Sequence, residues 1–251
     1  MQTEQDGPVW VFGYGSLVWK TDFPYHEKLV GYLKGYVRRF WQGSIDHRGV
    51  PGAPGRVVTL LESVEDCTWG VAYKVLPRDV PDVMMYLDRR EVGGYCTQRI
   101  KFYPQADPTQ PFEALAYIAN EHNPNYLGPA SLDHIAEQVV RSRGRSGENI
   151  EYILELAHAM RTLAPHVTDE HLFSLEHKVL ELVSCPGHPL FNACKRYSDS
   201  AQAARTVLLE TPLQSESLGN EPMLSGEGNC SLSCNQPNAH EKTPLPRATI
   251  G

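Results

Sequence analysis

The chain is expected to fold as an α+β protein with a strongly curved or closed sheet. Two observations predict this. β-branched and aromatic residues concentrate in short segments of the first half, and apolar residues at helical spacing take over after about residue 128. A run of strands followed by a run of helices leads to a sheet with helices packed on one side or end.

The expected strands run Val9–Tyr14, Leu29–Gln42, Arg56–Leu61, Thr68–Val75, Thr97–Tyr103 and Phe112–Ile118. Val57, Val58, Val71, Tyr73 and Val75 carry the enrichment typical of pleated, half-buried surfaces. Between the fourth and fifth segments, Val80, Val83, Met84 and Leu87 recur at i, i+3, i+4 and i+7. They predict one helix that stops at Gly93-Gly94. Ser131 can cap a helix with Leu132, Ile135, Ala136 and Val139 on its inner face. Ile150, Ile153, Leu154 and Ala157 mark another, ending before Pro165. Thr168 can cap a last one with Leu172, Leu175, Val179 and Leu182 inward.

From Ser184 the composition turns to Ser, Pro, Asn, Gly and Thr without sustained periodicity. Such a segment buries too little apolar surface to offset its chain entropy, so 184–251 is expected to be a disordered polar tail. The expected organisation is an N-terminal extension (1–8), one domain (9–183) and that tail. A core of about 175 residues is ample for one hydrophobic interior.

The net charge of −7 argues against a nucleic-acid surface, which needs clustered Lys and Arg. No run of eighteen apolar residues is present, so no membrane span is expected. The polar, acidic N-terminus lacks the apolar stretch of a secretory signal. Six scattered cysteines fit a reducing compartment, and the cytosol is the expected location. Cys185-Pro186-Gly187-His188 lacks a second ligand pair, and no other His or Cys spacing supports a metal.

Chemistry concentrates at three places. Val11-Phe12-Gly13-Tyr14-Gly15-Ser16-Leu17 is a strand broken by two glycines and a serine. Such a break tends to present a row of backbone N–H groups suited to a carboxylate or an oxyanion. The alternative is an ordinary turn after an edge strand. The loop lacks the third glycine of a dinucleotide fingerprint, the second glycine of a nucleophile elbow and the Gly-Lys-Ser/Thr of a phosphate loop. Secondly, Glu91 follows a helix and precedes Gly93-Gly94-Tyr95. A carboxylate there faces the negative end of the helix dipole and is a candidate general base with a raised pKa. The alternative is a solvated Glu91 paired with Arg89 or Arg90. Thirdly, Asp46-His47-Arg48-Gly49-Val50-Pro51-Gly52 opens a Gly/Pro-rich loop whose His47 and Arg48 can hold a substrate carboxylate or merely pin the loop. In the pair Arg38-Arg39, one side chain must face inward or toward a sheet end.

Trp10–Leu17, Arg39-Phe40-Trp41-Gln42-Gly43, Asp46–Gly52, Pro54–Leu60, Arg90-Glu91-Val92-Gly93-Gly94-Tyr95 and Asn125-Tyr126-Leu127-Gly128-Pro129 occur in this order. Together they resemble the ChaC family of gamma-glutamylcyclotransferases, over about Pro8 to Val183. The resemblance implies a small mixed β-barrel with surrounding helices. It also implies cleavage of glutathione to 5-oxoproline and L-cysteinylglycine without a cofactor. It assigns the γ-glutamyl group to Val11, Phe12, Gly13, Tyr14, Gly15, Ser16 and Leu17, and the catalytic proton transfer to Glu91. Arg39, His47, Arg48 and Tyr126 are further candidates for substrate contact. Glutathione is the expected small-molecule partner, and no protein partner is indicated. The alternatives are a cyclotransferase for other γ-glutamyl amines or amino acids, and a non-catalytic binding or regulatory protein on the same fold.

Overall fold

Five strands, β1 (Val9–Gly13), β2 (Glu27–Ser44), β3 (Gly55–Val75), β4 (Cys96–Pro104) and β5 (Phe112–Ile118), close into a barrel in the spatial order β1-β3-β2-β4-β5. The structure is a computed structural model that describes residues 7–91, 93–192, 194, 195 and 197. Neighbouring strands are antiparallel except at the seam, where β1 runs parallel to β5 with Val11 opposite Leu115. The small mixed barrel implied by the resemblance is therefore present.

Two long strands make closure possible. β2 pairs with β3 from Glu27 opposite Lys74 to Ser44 opposite Gly55, while its Gly31–Leu33 segment also pairs with β4. Register shifts between Lys34 and Tyr36 and between Arg39 and Gln42 bend β2 around the barrel. Phe12, Leu33, Phe40, Val71 and Phe102 are fully buried in the core. Burying each such side chain contributes about 1.5–3 kcal/mol.

α1 (Val80–Arg90) connects β3 to β4 and buries Val83 and Leu87. After the barrel come α2 (Leu132–Arg141), a short hairpin of β6 (Arg143–Gly144) and β7 (Gly147–Glu148), α3 (Asn149–Leu163) and α4 (Glu170–Leu182). These helices pack on one another and on β2 and β3. The expected faces are the buried ones: Ile135 and Val139 on α2, Ile153 and Leu154 on α3, Leu172, Leu175 and Val179 on α4. The Ser131 side chain caps α2 by accepting from His134 N–H. For α4 the cap is Asp169, one residue beyond the expected Thr168, and its side chain accepts from Leu172 N–H at 3.0 Å.

The packed core runs past the boundary expected at Val183. Leu190 packs against the core, and Cys194 and Tyr197 are buried within it. The Tyr197 hydroxyl donates to Glu155 on α3. Leu190, Cys194 and Tyr197 stand at i, i+4 and i+7, one helical face hidden inside a stretch whose composition is otherwise polar. The rest of the expected tail, from residue 198, lies outside the described residues, as do residues 1–6 of the expected N-terminal extension.

Candidate active site

β1 ends at Gly13, and the chain turns through Tyr14 and Gly15 into a single 3-10 turn, Ser16–Val18. Val18 N–H bonds to Gly15 O and Lys20 N–H to Ser16 O, both at 2.9 Å. Among the described residues, the N–H groups of Gly15, Ser16 and Leu17 have no protein acceptor. These three consecutive N–H groups are the ones that the sequence reading offers to a carboxylate or an oxyanion. Gly15 is required by close approach: a Cβ there would meet the Tyr152 hydroxyl at 2.6 Å and Val58 Cγ2 at 2.8 Å.

Arg38 fixes the loop from beneath. Its guanidinium is buried and donates to Tyr14 O at 2.6 Å, Trp69 O at 3.0 Å and the Asp169 carboxylate at 2.9 Å. The cap of α4 is thus tied to the loop after β1. Of the adjacent arginines, Arg38 is the inward one. Arg39 lines neither cavity described below, and its Nη1 donates to Arg38 O at 2.8 Å.

Glu91 terminates α1, its N–H donating to Leu87 O at 2.8 Å. The Gly93-Gly94 turn that follows, with Gly94 at φ +80°, is clamped by Asn123, whose Nδ2 donates to both glycine carbonyls at 2.7 Å. Gln42 holds Asn123 in turn, at 3.1 Å. Arg90 joins the acid to the loop. Its Nη2 donates to Ser16 Oγ at 2.6 Å, and its Nε lies 3.6 Å from Glu91 Oε1.

These elements enclose a small cavity of about 50 Å³ lined by Phe12 to Leu17, Val58, Glu91, Tyr95, Tyr117 and Tyr152. Beside it opens a cleft of about 510 Å³ that shares Ser16, Glu91, Tyr95 and Tyr152 with it. His47 and Arg48 lie on the wall of the cleft. Tyr126 bridges to Gln42 and lines neither space, and Val11 is fully buried in the core. The sequence-derived candidates thus divide: Phe12–Leu17 and Glu91 meet, His47 and Arg48 border the adjoining cleft, and Arg39, Tyr126 and Val11 stay outside both.

Burial raises the Glu91 carboxyl above the ordinary carboxylate range, and the Arg90 guanidinium partly opposes that shift. The two readings of Glu91 are therefore combined: it is both enclosed and ion-paired. Burial, not the helix dipole, is the main cause of the upward shift. The phenols of Tyr14, Tyr95, Tyr117 and Tyr152 are all pushed up, first by burial. They remain neutral at physiological pH and supply hydroxyl donors rather than bases. Tyr14 already donates to Tyr117 O at 2.6 Å, and Tyr117 to Asp88 at 2.8 Å. Among the residues lining the small cavity, Glu91 is the only carboxylate. The arrangement brings a run of backbone donors and one proton-accepting group to the lining of the same cavity, together with aromatic side chains.

Sequence reasoning did not pick out Tyr95, Tyr117, Tyr152 or Val58 as site residues. Tyr152 sits beside Ile153 and Leu154 on an amphipathic helix, where an aromatic reads as core. Tyr95 ends the Gly-Gly motif and carried the one available signal.

Comparisons with known proteins place the chain in a family. A model of the family described as ChaC-like protein matches residues 9–182. A glutathione-specific gamma-glutamylcyclotransferase 1 from Rattus norvegicus is 52% identical over 179 residues, covering 70% of this chain and 81% of the relative. A glutathione-specific gamma-glutamylcyclotransferase from Schizosaccharomyces pombe is 35% identical over 189 residues, 69% of this chain and 93% of the relative. Among solved structures, a gamma-glutamyl cyclotransferase specific to glutathione from yeast superposes with a TM-score of 0.65 at 27% identity, covering 70% of this chain and 96% of that one. With the family model spanning the barrel and the helices after it, the chain belongs to the ChaC family.

Proposed function

We propose that the protein cleaves glutathione by intramolecular cyclisation of its γ-glutamyl group, releasing 5-oxoproline and L-cysteinylglycine. The observation that carries this reading is the meeting, in one cavity, of the free N–H row of Gly15–Leu17 with the single carboxylate of Glu91. The names of the relatives, at up to 52% identity, support the same substrate.

The reaction needs no protein nucleophile, because the substrate's own α-amine attacks its γ-carbonyl. The small cavity has room for the charged head of the glutamyl group, with the rest of the peptide in the cleft. At neutral pH the amine is protonated and unreactive. Glu91 accepts that proton, the amine nitrogen bonds to the carbonyl carbon, and the lactam ring closes. As the amide C–N bond breaks, Glu91 returns the proton to the departing nitrogen of cysteinylglycine. The second proton, shed by the ring nitrogen once it has bonded to carbon, follows the same route, so the lactam is neutral and the peptide leaves as its ammonium form. No water is consumed, and Glu91 ends in its starting state. A raised carboxyl pKa suits this shuttle, since a strongly acidic group would take the amine proton poorly. Backbone donors of the Gly15–Leu17 turn hold the α-carboxylate or the oxyanion. In other enzymes one such oxyanion donor contributes about 3 kcal/mol to the transition state. Because the attack is intramolecular, folding the bound substrate supplies much of the rate.

On this reading the catalytic domain begins at residue 9 and includes the core residues that follow Val183, as far as Tyr197. The cytosol is proposed as its compartment from the scattered thiols. Mass spectrometry of products after incubation with glutathione tests the function. Equimolar 5-oxoproline and cysteinylglycine are expected; free glutamate with cysteinylglycine would mean hydrolysis and defeat the proposal.

A further inference from the structure

We propose that the larger cleft binds the C-terminal carboxylate of the departing peptide, and that the Arg48 guanidinium is the group that holds it. This rests on the cyclotransferase reading and adds a subsite to it.

Glu91 returns a proton to the leaving nitrogen, so that nitrogen must lie where the small cavity meets the cleft. Ser16, Glu91, Tyr95 and Tyr152 form that junction. The peptide beyond it enters the cleft, and two residues reach at most about 7 Å. Trp19, Ile45 and Val57 offer apolar contact to the intervening side chain.

Four side chains with basic groups line the cleft: Lys20, His47, Arg48 and Arg90. Three are poor carboxylate holders. Arg90 is engaged by Ser16 and Glu91. Lys20 is 61% exposed and lies 3.9 Å from Asp22, so solvent and that carboxylate screen it. His47 pairs with Ser146 at 2.8 Å, and burial together with Arg145 holds its pKa below the ordinary value, so it is neutral at physiological pH. The carboxylate of Asp46 is matched by Arg145 at 2.7 Å.

Arg48 differs. Its side chain is 13% exposed. Nη1 is anchored by Glu148 O at 2.7 Å and Glu151 Oε2 at 2.9 Å, neither residue lining the cleft. Its Nε and Nη2 donate to no described protein group. Glu151 offsets part of its charge through Nη1 alone, which leaves a guanidinium already stripped of most water, braced on one side, with N–H groups on Nε and Nη2 still to be used. Guanidinium N–H groups match a carboxylate in two-point geometry.

The test compares KM and kcat for glutathione and for its C-terminal carboxamide, in the wild-type protein and in Arg48→Met. The carboxamide should raise the wild-type KM on the order of tenfold or more, with kcat changed far less. Arg48→Met should bring the glutathione KM up to that of the carboxamide, abolishing the preference. Equal KM values in the wild type, or an undiminished preference in Arg48→Met, would overturn the assignment. Should Arg48→Met fail to fold, Arg48→Lys, which keeps the charge but not the two-point fork, takes its place: the preference should shrink there, and an undiminished preference would overturn the assignment. Release of 5-oxoproline from either peptide keeps all these results separate from a failure of the cyclotransferase reading.

Discussion

Replacing Arg90 with methionine removes a cation that joins the two halves of the site. Its Nη2 donates to Ser16 Oγ at 2.6 Å, and its Nε stands 3.6 Å from Glu91 Oε1, with the two side chains 13% and 19% exposed. At 3.6 Å and an effective dielectric of about 20, the gross attraction is roughly 4–5 kcal/mol. After desolvation, contacts of this kind contribute about 1.5–3 kcal/mol. Losing that opposing cation should raise the Glu91 carboxyl further above the ordinary carboxylate range in Arg90→Met. The direction is fixed by the structure: burial already raises this group and Arg90 opposes it, so losing Arg90 adds to the rise. A general base works only when ionised, so the acid limb of kcat/KM should move to higher pH. The assay is 5-oxoproline release from glutathione between about pH 5 and pH 9. Loss of the Ser16 contact should lower the plateau as well, but a lowered plateau does not displace the limb. A limb that stays in place, or moves to lower pH, would refute the coupling of Arg90 to Glu91.

Gly15→Ala places a Cβ 2.6 Å from the Tyr152 hydroxyl and 2.8 Å from Val58 Cγ2. It should cost about 1–3 kcal/mol of stability and displace the donor row, so turnover should fall by more than tenfold. Thermal unfolding and kcat read the two effects, and Tyr152→Phe in the same chain should restore part of the stability. Arg38→Met cuts the bonds to Tyr14 O and Trp69 O and strands the Asp169 carboxylate. A loss of about 3–5 kcal/mol is expected in denaturant unfolding. Glu91→Gln should be more stable than the parent at pH 8 and equal to it near pH 4. The folded-state pKa of Glu91 is raised, so the native protein binds that proton more tightly than the unfolded chain does. Stability is therefore lost as pH climbs from the ordinary carboxylate value through the raised one, and glutamine escapes this loss. Melting temperatures of both proteins across that range check the sign.

The barrel and its helices were legible because their apolar faces follow simple periods. Two details were not. The segments Arg56–Leu61 and Thr68–Val75 are one strand, β3, whose middle carries exposed polar residues and a Val64 that is 90% exposed. There β2 and β3 extend as a ribbon beyond the core, and residues 62–67 look like a turn when read by hydropathy alone. Likewise, adjacent arginines give no periodic signal for which one is buried. Arg38 is inward because Tyr14 O, Trp69 O and Asp169 gather around it, and two of those acceptors are backbone atoms without a sequence signature. In the site, the glycine-broken loop and Glu91 were readable from local chemistry. The tyrosines were not, since a phenol directed into a cavity from α3 has the same spacing as one directed into the core. The helical face of Leu190, Cys194 and Tyr197 was obscured by the polar residues around it.

The central claim is that Glu91 carries the proton from the substrate's amine to its leaving nitrogen. The direct measurement is a single turnover of Glu91→Gln with glutathione bound at saturation, binding being established by calorimetry and products by mass spectrometry. The account predicts binding close to that of the parent and no 5-oxoproline on the parent's timescale. Release of 5-oxoproline at the parent's rate would contradict it.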